Sequence, residues 1–91
     1  MRIEEWQLAA ARASSPTWTG DLADDCVAYW AGLTLRAEWT NGSDWWWAVV
    51  DQATGEEIAS SNGQNHHVTS GEVARDAAEV AARTYLNVNE C

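Results

Sequence analysis

The stretch from Trp45 to Val50, which reads WWWAVV, decides the fold, because six consecutive apolar residues are strongly driven out of water. Turn-forming residues bound this stretch on both sides, with Asn41-Gly42 before it and Gly55 after it. Aromatic and β-branched residues between turn signals are typical of a β-strand, and an uninterrupted apolar run indicates burial on both faces. The stretch therefore predicts the central strand of a small sheet, which the rest of the chain covers.

Asn41-Gly42 is a strong hairpin signal, and it predicts the register of the central strand with the strand before it. A two-residue turn at these positions places Arg36 opposite Trp47 and Leu35 opposite Ala48. Two faces follow from the alternation of side chains along a strand. The first face gathers Leu33, Leu35, Ala37, Trp46, Ala48 and Val50. The second face gathers Thr34, Arg36, Glu38, Trp45, Trp47 and Val49.

Residues 26–39 alternate in a pattern of period two, which predicts one long strand with a bulge or bend at Gly32. A short helix over residues 22–31, ended by Gly32, is an alternative that the pattern leaves open. After the loop at Ala53-Thr54-Gly55, residues 56–60 predict a third strand.

Helices are predicted at both ends of the chain. Residues 3–13 carry an apolar stripe that includes Trp6 and end before Pro16, and residues 16–25 read as a loop. Residues 69–87 form the second helix, with Thr69 and Glu72 as a capping box and Val73 and Val80 on its buried face. The prediction is a single α+β domain over residues 1–91, a three-stranded antiparallel meander at 26–61 between two helices (α-β-β-β-α), with the C-terminal helix on one face.

The chain carries a net charge of −9, and all five of its basic residues are Arg. Phosphate backbones and anionic membrane surfaces should repel such a chain, so we expect a protein partner with a basic surface rather than nucleic acid or a membrane. Neither an apolar leader segment nor a membrane-spanning run is expected, which favours a cytoplasmic location. Cys26 and Cys91 are expected to be reduced, with a disulfide as the alternative.

The sequence contains no nucleophile elbow, phosphate-binding glycine loop or zinc-ligand spacing. His66 and His67 are adjacent, and neighbouring side chains of an extended segment point in opposite directions, so the pair is not suited to one metal ion. We therefore expect a non-enzymatic protein without a cofactor or a metal.

Two kinds of surface are candidates for binding a partner. An aromatic patch on the second face of the sheet is either exposed or covered by the first helix, and it comprises Trp45, Trp47, Trp30 and Arg36. Two acidic clusters are the candidates for charged contacts, namely Asp21, Asp24 and Asp25, and Asp51, Glu56 and Glu57.

The element order and the Ala-rich segment 70–78 resemble double-stranded RNA-binding domains. Gly71, Glu72 and Arg75 stand where that family carries its lysine cluster, so the resemblance implies a layout and not RNA binding. In kind, a small, acidic, Trp-rich chain is similar to the phage inhibitors known as anti-CRISPR proteins. This resemblance implies an acidic mimic of nucleic acid that inhibits a nucleic-acid-binding defence protein. The alternatives are an immunity or antitoxin-like partner of a basic toxin, and a structural or regulatory domain that forms a homodimer.

Overall fold

The computed structural model describes residues 4–21, 24–41, 44–61, 68 and 70–86. Within these residues the chain forms two helices and one antiparallel sheet of five strands, whose order in the sheet equals their order in the chain. The elements are α1 (Glu5–Ala13), β1 (Thr19–Gly20), β2 (Asp25–Trp30), β3 (Leu33–Asn41), β4 (Asp44–Asp51), β5 (Glu57–Ser60) and α2 (Gly71–Leu86). The predicted α+β class with a helix at each end is confirmed, and the predicted number of three strands is wrong.

One of the additional strands arises because the predicted long strand is a hairpin of β2 and β3. Ala31 and Gly32 have φ angles of 53° and 77°, so both occupy the left-handed region that a tight two-residue hairpin turn requires. Trp30 therefore pairs with Leu33, and Gly32 is neither a bulge nor the end of a helix. Because the turn contains two residues, Trp30 and Leu33 lie on the same face although they are three positions apart. A continuous pattern of period two would place them on opposite faces. The other additional strand, β1, lies in the segment that was predicted to be a loop.

The register between β3 and β4 differs from the predicted one by one residue. Asn41 pairs with Asp44, an irregularity follows, and from Trp39↔Trp45 onward Ala37 lies opposite Trp47. The bulge absorbs one residue and moves every β4 side chain to the other face. An entirely apolar strand cannot indicate which of its faces is the buried one. Here the face with Trp47 and Val49 packs beneath α2, and that with Trp46 and Val50 does not.

Helix α2 covers β3, β4 and β5 with a stripe of small residues. Its buried positions are Gly71, Ala74, Ala78, Ala82 and Leu86. Val73 and Val80, which were predicted to be buried, are 51% and 61% exposed. Small residues of α2 face the sheet because they allow the helix backbone to approach the bulky side chains of β3 and β4 closely.

The start of α2 also differs from the prediction. The Val73 amide donates a hydrogen bond of 3.1 Å to Ser70 Oγ, which makes Ser70 the N-cap of a helix that begins at Gly71. The predicted cap, Thr69, lies outside the described residues. The predicted cap position is therefore one residue too early.

Helix α1 packs beside α2 at the end of the sheet that carries the β2–β3 turn. Its buried residues are Gln7 and Ala11, whereas Trp6, which was predicted to be on the buried stripe, is 58% exposed. Gln7 Nε2 donates to the carbonyl oxygen of Ala31 at 2.8 Å, and Gln7 Oε1 accepts from the Glu4 amide at 2.9 Å. A buried glutamine thus joins the start of α1 to the turn, and both helices lie on the same side of the sheet.

Candidate functional site: the open face of the sheet

The two faces of the sheet differ sharply in exposure. On the helix side, the buried apolar side chains of the three central strands are at most 4% exposed; they are Cys26, Ala28, Trp30, Leu33, Leu35, Ala37, Trp47 and Val49. The alternate residues point the other way, and we call this side the open face: Asp25, Val27, Tyr29, Thr34, Arg36, Glu38, Trp46, Ala48 and Val50. All of these except Ala48 are half-buried or exposed. Of the elements that the structure describes, both helices lie on the opposite side, so the open face is accessible.

Arg36 is the centre of the open face. Its Nη2 atom lies 3.2 Å from Glu38 Oε1 and 4.0 Å from Asp25 Oδ1, and its guanidinium carbon lies 5.9 Å from the centroid of the Trp46 ring. Exposed ion pairs of this kind contribute at most about 1 kcal/mol each. Their main effect is to hold a planar cation against an indole and two carboxylates, which yields a surface that is both aromatic and charged.

Carboxylates collect at one end of the sheet, where β2 begins, β3 ends and β4 begins. We call this set the acidic end; it comprises Asp21, Asp24, Asp25, Glu38 and Asp44. Backbone pairing brings the five together: Asp25 pairs with Glu38, Asn41 pairs with Asp44, and the Trp39 amide donates to the Asp24 carbonyl at 2.7 Å. The Asp24 amide in turn donates to the Asp21 carbonyl at 3.0 Å. The first predicted acidic cluster is therefore part of a larger one that the topology assembles.

The predicted aromatic patch is not a surface in this fold. Trp47 and Trp30 are 2% and 4% exposed and belong to the core, and Trp45 is half-buried against the start of α2, close to Gly71. Trp45 and Trp47 are covered by α2, whereas Trp30 contacts both Arg83 of α2 and the carbonyl of Ser14, which follows α1. Arg36 is separated from all three, because it lies on the open face with Trp46. The exposure that a role in partner binding requires is thus absent at Trp30 and Trp47.

The indole N–H groups show how two of the tryptophans are held. Trp30 Nε1 donates to the Ser14 carbonyl at 3.2 Å, and the guanidinium carbon of Arg83 lies 5.0 Å from the centroid of its ring. Trp18 Nε1 donates to Glu79 Oε2 at 2.8 Å, and Glu79 also forms an ion pair of 3.3 Å with Arg83. These contacts hold the segment before β1 against α2. They lie on the side of the sheet opposite the open face.

The second predicted acidic cluster divides into one structural residue and two surface residues. Asp51 is 7% exposed, and its Oδ1 atom accepts the amides of Ala53 and Thr54 at 2.8 and 3.3 Å, so it stabilises the β4–β5 turn. Glu56 and Glu57 are exposed. Only these two remain available for contacts with a partner.

Sequence reasoning missed Trp46, Tyr29 and Asp44 as members of the site, whereas it placed Glu38 beside Arg36 on the second face. Tyr29 is 69% exposed, and Trp46 is the tryptophan of the WWW run that faces Arg36. Trp46 could have been recognised from the sequence, because its neighbours Trp45 and Trp47 point to the opposite face of the strand. A register that buries both neighbours therefore turns Trp46 to the surface. Glu38 and Asp44 join the acidic end only through strand pairing, which sequence proximity does not show.

No helix in the described residues is long and apolar enough to cross a membrane. The same part of the chain contains no group of three or more His, Cys, Asp or Glu residues that could hold a metal ion, and His66 and His67 lie outside it. Cys26 is a free, buried cysteine whose sulfur lies 3.6 Å from the Ala37 carbonyl oxygen, and Cys91 lies outside the described residues. No known protein family, curated protein or solved structure matches the chain.

Proposed function

We propose that the chain is a non-enzymatic inhibitor that binds a basic, nucleic-acid-binding protein through the open face and its acidic end. The proposed target is a defence protein of the CRISPR type. The observation that carries it is the pairing of Asp25 and Glu38 with Arg36 beside Trp46, on a sheet face that neither helix covers, with three further carboxylates at the same end of the sheet.

Charge supports the choice of a basic partner. At the acidic end Arg36 lies against Asp25 and Glu38, so it offsets part of the negative charge of the five carboxylates. The net charge of the whole chain is −9. Carboxylates spaced along a sheet edge can occupy the positions that phosphates take in a basic groove, and their field accelerates encounter with it.

The aromatic residues support a specific interface rather than a purely electrostatic one. Trp46 is half-buried, so it presents part of its ring, and Tyr29 presents most of its ring at the other end of the open face. Trp, Tyr and Arg are the residue types that are enriched at binding hot spots. We therefore expect the acidic end to govern the association rate, and Trp46 to govern the dissociation rate.

A competition assay tests this proposal. The full chain is added to a panel of purified nucleic-acid-binding proteins, with CRISPR effector complexes among them, each carrying a labelled duplex DNA or RNA. The proposal expects displacement of the label from at least one panel member, and a loss of displacement in the Asp25→Lys and Trp46→Ala variants. Glu5→Lys is the charge-matched control, because Glu5 is exposed on α1 on the opposite side of the sheet.

Two outcomes contradict the proposal. If the chain leaves every panel member bound to its nucleic acid, it does not act as an inhibitor of this class. If the chain itself shifts duplex DNA or RNA in a gel at low salt, where weak electrostatic attraction is favoured, the assignment of a protein partner is wrong.

A further inference from the structure

An apolar groove lies on the other side of the sheet, between α2 and β5. It has a volume of about 520 Å³, and Trp47 forms part of its lining. Ile58 and Ala59 line it from β5, and Ala77, Val80 and Tyr85 line it from α2. The groove therefore combines an apolar interior with an edge strand of the sheet, since β5 is the last strand in the order β1-β2-β3-β4-β5.

Two buried polar atoms of the groove residues have no hydrogen-bond partner among the described residues: Trp47 Nε1 and the Tyr85 hydroxyl. Trp18 and Trp30, by contrast, both have acceptors for their indole N–H groups. A buried donor without an acceptor costs about 1–3 kcal/mol. Both atoms belong to residues that line the groove, so a molecule that inserts between these side chains and carries an oxygen acceptor would satisfy them.

The neighbouring charges indicate what that molecule carries at its end. Glu56 and Glu57 are exposed where β5 begins, and Asp51 is the last residue of β4. Burial raises the pKa of the Tyr85 hydroxyl, and the negative charges of Asp51 and Glu56 raise this pKa further. This end of the groove is therefore electronegative, which disfavours a carboxylate and favours a basic residue.

We propose that the groove binds an extended peptide segment of a partner protein, which adds to β5 as a sixth strand of the sheet. Main-chain hydrogen bonds to an edge strand supply affinity in this mode of binding, and pockets for alternate side chains supply specificity. The side chain that enters the groove has an apolar stem and a carbonyl or hydroxyl oxygen for the indole N–H group of Trp47. A Lys or Arg residue of the peptide lies beside Glu56, an exposed carboxylate that acts on Tyr85. This site goes beyond the proposed function, because it lies on the opposite side of the sheet from the open face.

The experiment selects peptides from a random library of displayed eight-residue sequences, with the full chain as bait. The affinity of the most enriched synthetic peptide is then measured by fluorescence anisotropy. We expect Val80→Glu to weaken the binding of this peptide by at least about tenfold, since it places a charge on the apolar wall. Val73→Glu is the matched control, and it should leave the affinity within about twofold. Val73 and Val80 lie on the same helix with 51% and 61% exposure, and Val80 alone of the two lines the groove.

Two further measurements distinguish strand addition from other modes. N-methylation of successive peptide bonds should abolish binding at every second position, because alternate amides of an added strand face β5. The indole N–H resonance of Trp47 should shift when the peptide is titrated into the wild-type chain. The Asp25→Lys variant should bind the peptide normally, so a failure of the proposed function at the open face leaves this result unaffected.

The proposal is overturned if no peptide is enriched above background, as would happen if another part of the chain itself fills the groove. It is equally overturned if Val80→Glu and Val73→Glu bind the selected peptide alike, or if N-methylation has no effect of period two.

Discussion

The two faces of the sheet are built from the same strands, but they differ in how far their side chains are buried and in the interactions that these side chains make. On the covered face, Leu35 and Trp47 are at most 2% exposed and pack against the alanine stripe of α2. On the open face, Arg36 and Trp46 remain partly exposed and interact through charge and ring contacts. The covered face thus determines the fold by burial, whereas packing constrains the side chains of the open face less.

The largest expected effect that separates the two faces concerns adjacent tryptophans. Trp47→Ala should lower the free energy of unfolding by about 3–5 kcal/mol, because it leaves a large cavity beneath α2. Trp46→Ala should cost about 1 kcal/mol, since it removes a half-buried ring and its contact with Arg36. Urea unfolding of both variants provides the measurement. Equal losses would mean that the open face is also covered.

The next effect concerns the small residues of α2. Ala78 is fully buried against the sheet, so Ala78→Leu should lower the free energy of unfolding by about 1–3 kcal/mol through overpacking. Val80→Leu on the exposed side of the same helix is the control, and it should change stability by no more than about 0.5 kcal/mol. A neutral Ala78→Leu variant would show that the helix does not pack closely on the sheet at this position.

A smaller effect concerns the start of α2. Ser70→Ala should cost about 1 kcal/mol, because the Val73 amide then loses its acceptor at the helix terminus. Thermal or urea unfolding beside Thr69→Ala distinguishes the two candidate caps. If Thr69→Ala is the more damaging substitution, the cap position predicted from the sequence is right after all.

The elements that the sequence predicted well are those whose signals are local. Both helices, the strand from Trp45 and the loop that ends at Gly55 depend on turn chemistry and periodicity within a few residues. The β2–β3 hairpin was missed because its turn, Ala31-Gly32, contains an alanine in the left-handed region, which is uncommon and carries no sequence signature.

The candidate site was predicted less well, because it depends on a choice between two apolar faces of β4. Trp45 and Trp47 could lie on either side until the bulge between Trp39 and Asn41 fixed the register. Moving that register by one residue exchanges Trp47 for Trp46 at the surface. The acidic residues Asp21, Asp24 and Asp25 were identified correctly as exposed, since a loop before a strand is exposed whatever the register.

The smallest expected effect concerns the polar atoms that the covered face leaves without partners. Tyr85→Phe removes a buried hydroxyl that has no partner among the described residues, so it should raise the free energy of unfolding by about 1 kcal/mol near neutral pH. Urea unfolding measures this gain. A loss of stability instead would show that the hydroxyl has an acceptor or a donor elsewhere in the chain.

The same substitution has a pH signature whose sign follows from the pKa of Tyr85. Burial, and then the charges of Asp51 and Glu56, raise this pKa above the ordinary value of 10.0. As the pH rises through about 10, the unfolded chain therefore loses the phenolic proton before the folded chain does. Ionisation then favours the unfolded state, and stability that is fully present below this pH declines above it.

The decline in stability should be shallower in Tyr85→Phe than in the wild type. Tyr29→Phe, which changes the open face, is the control, and it should retain the part of the decline that is due to Tyr85. Identical alkaline profiles for Tyr85→Phe and the wild type would mean that the hydroxyl is as well solvated in the folded chain as in the unfolded one. The groove beside α2 would then be open to water at Tyr85, and the Tyr85 hydroxyl would no longer support the peptide-binding proposal.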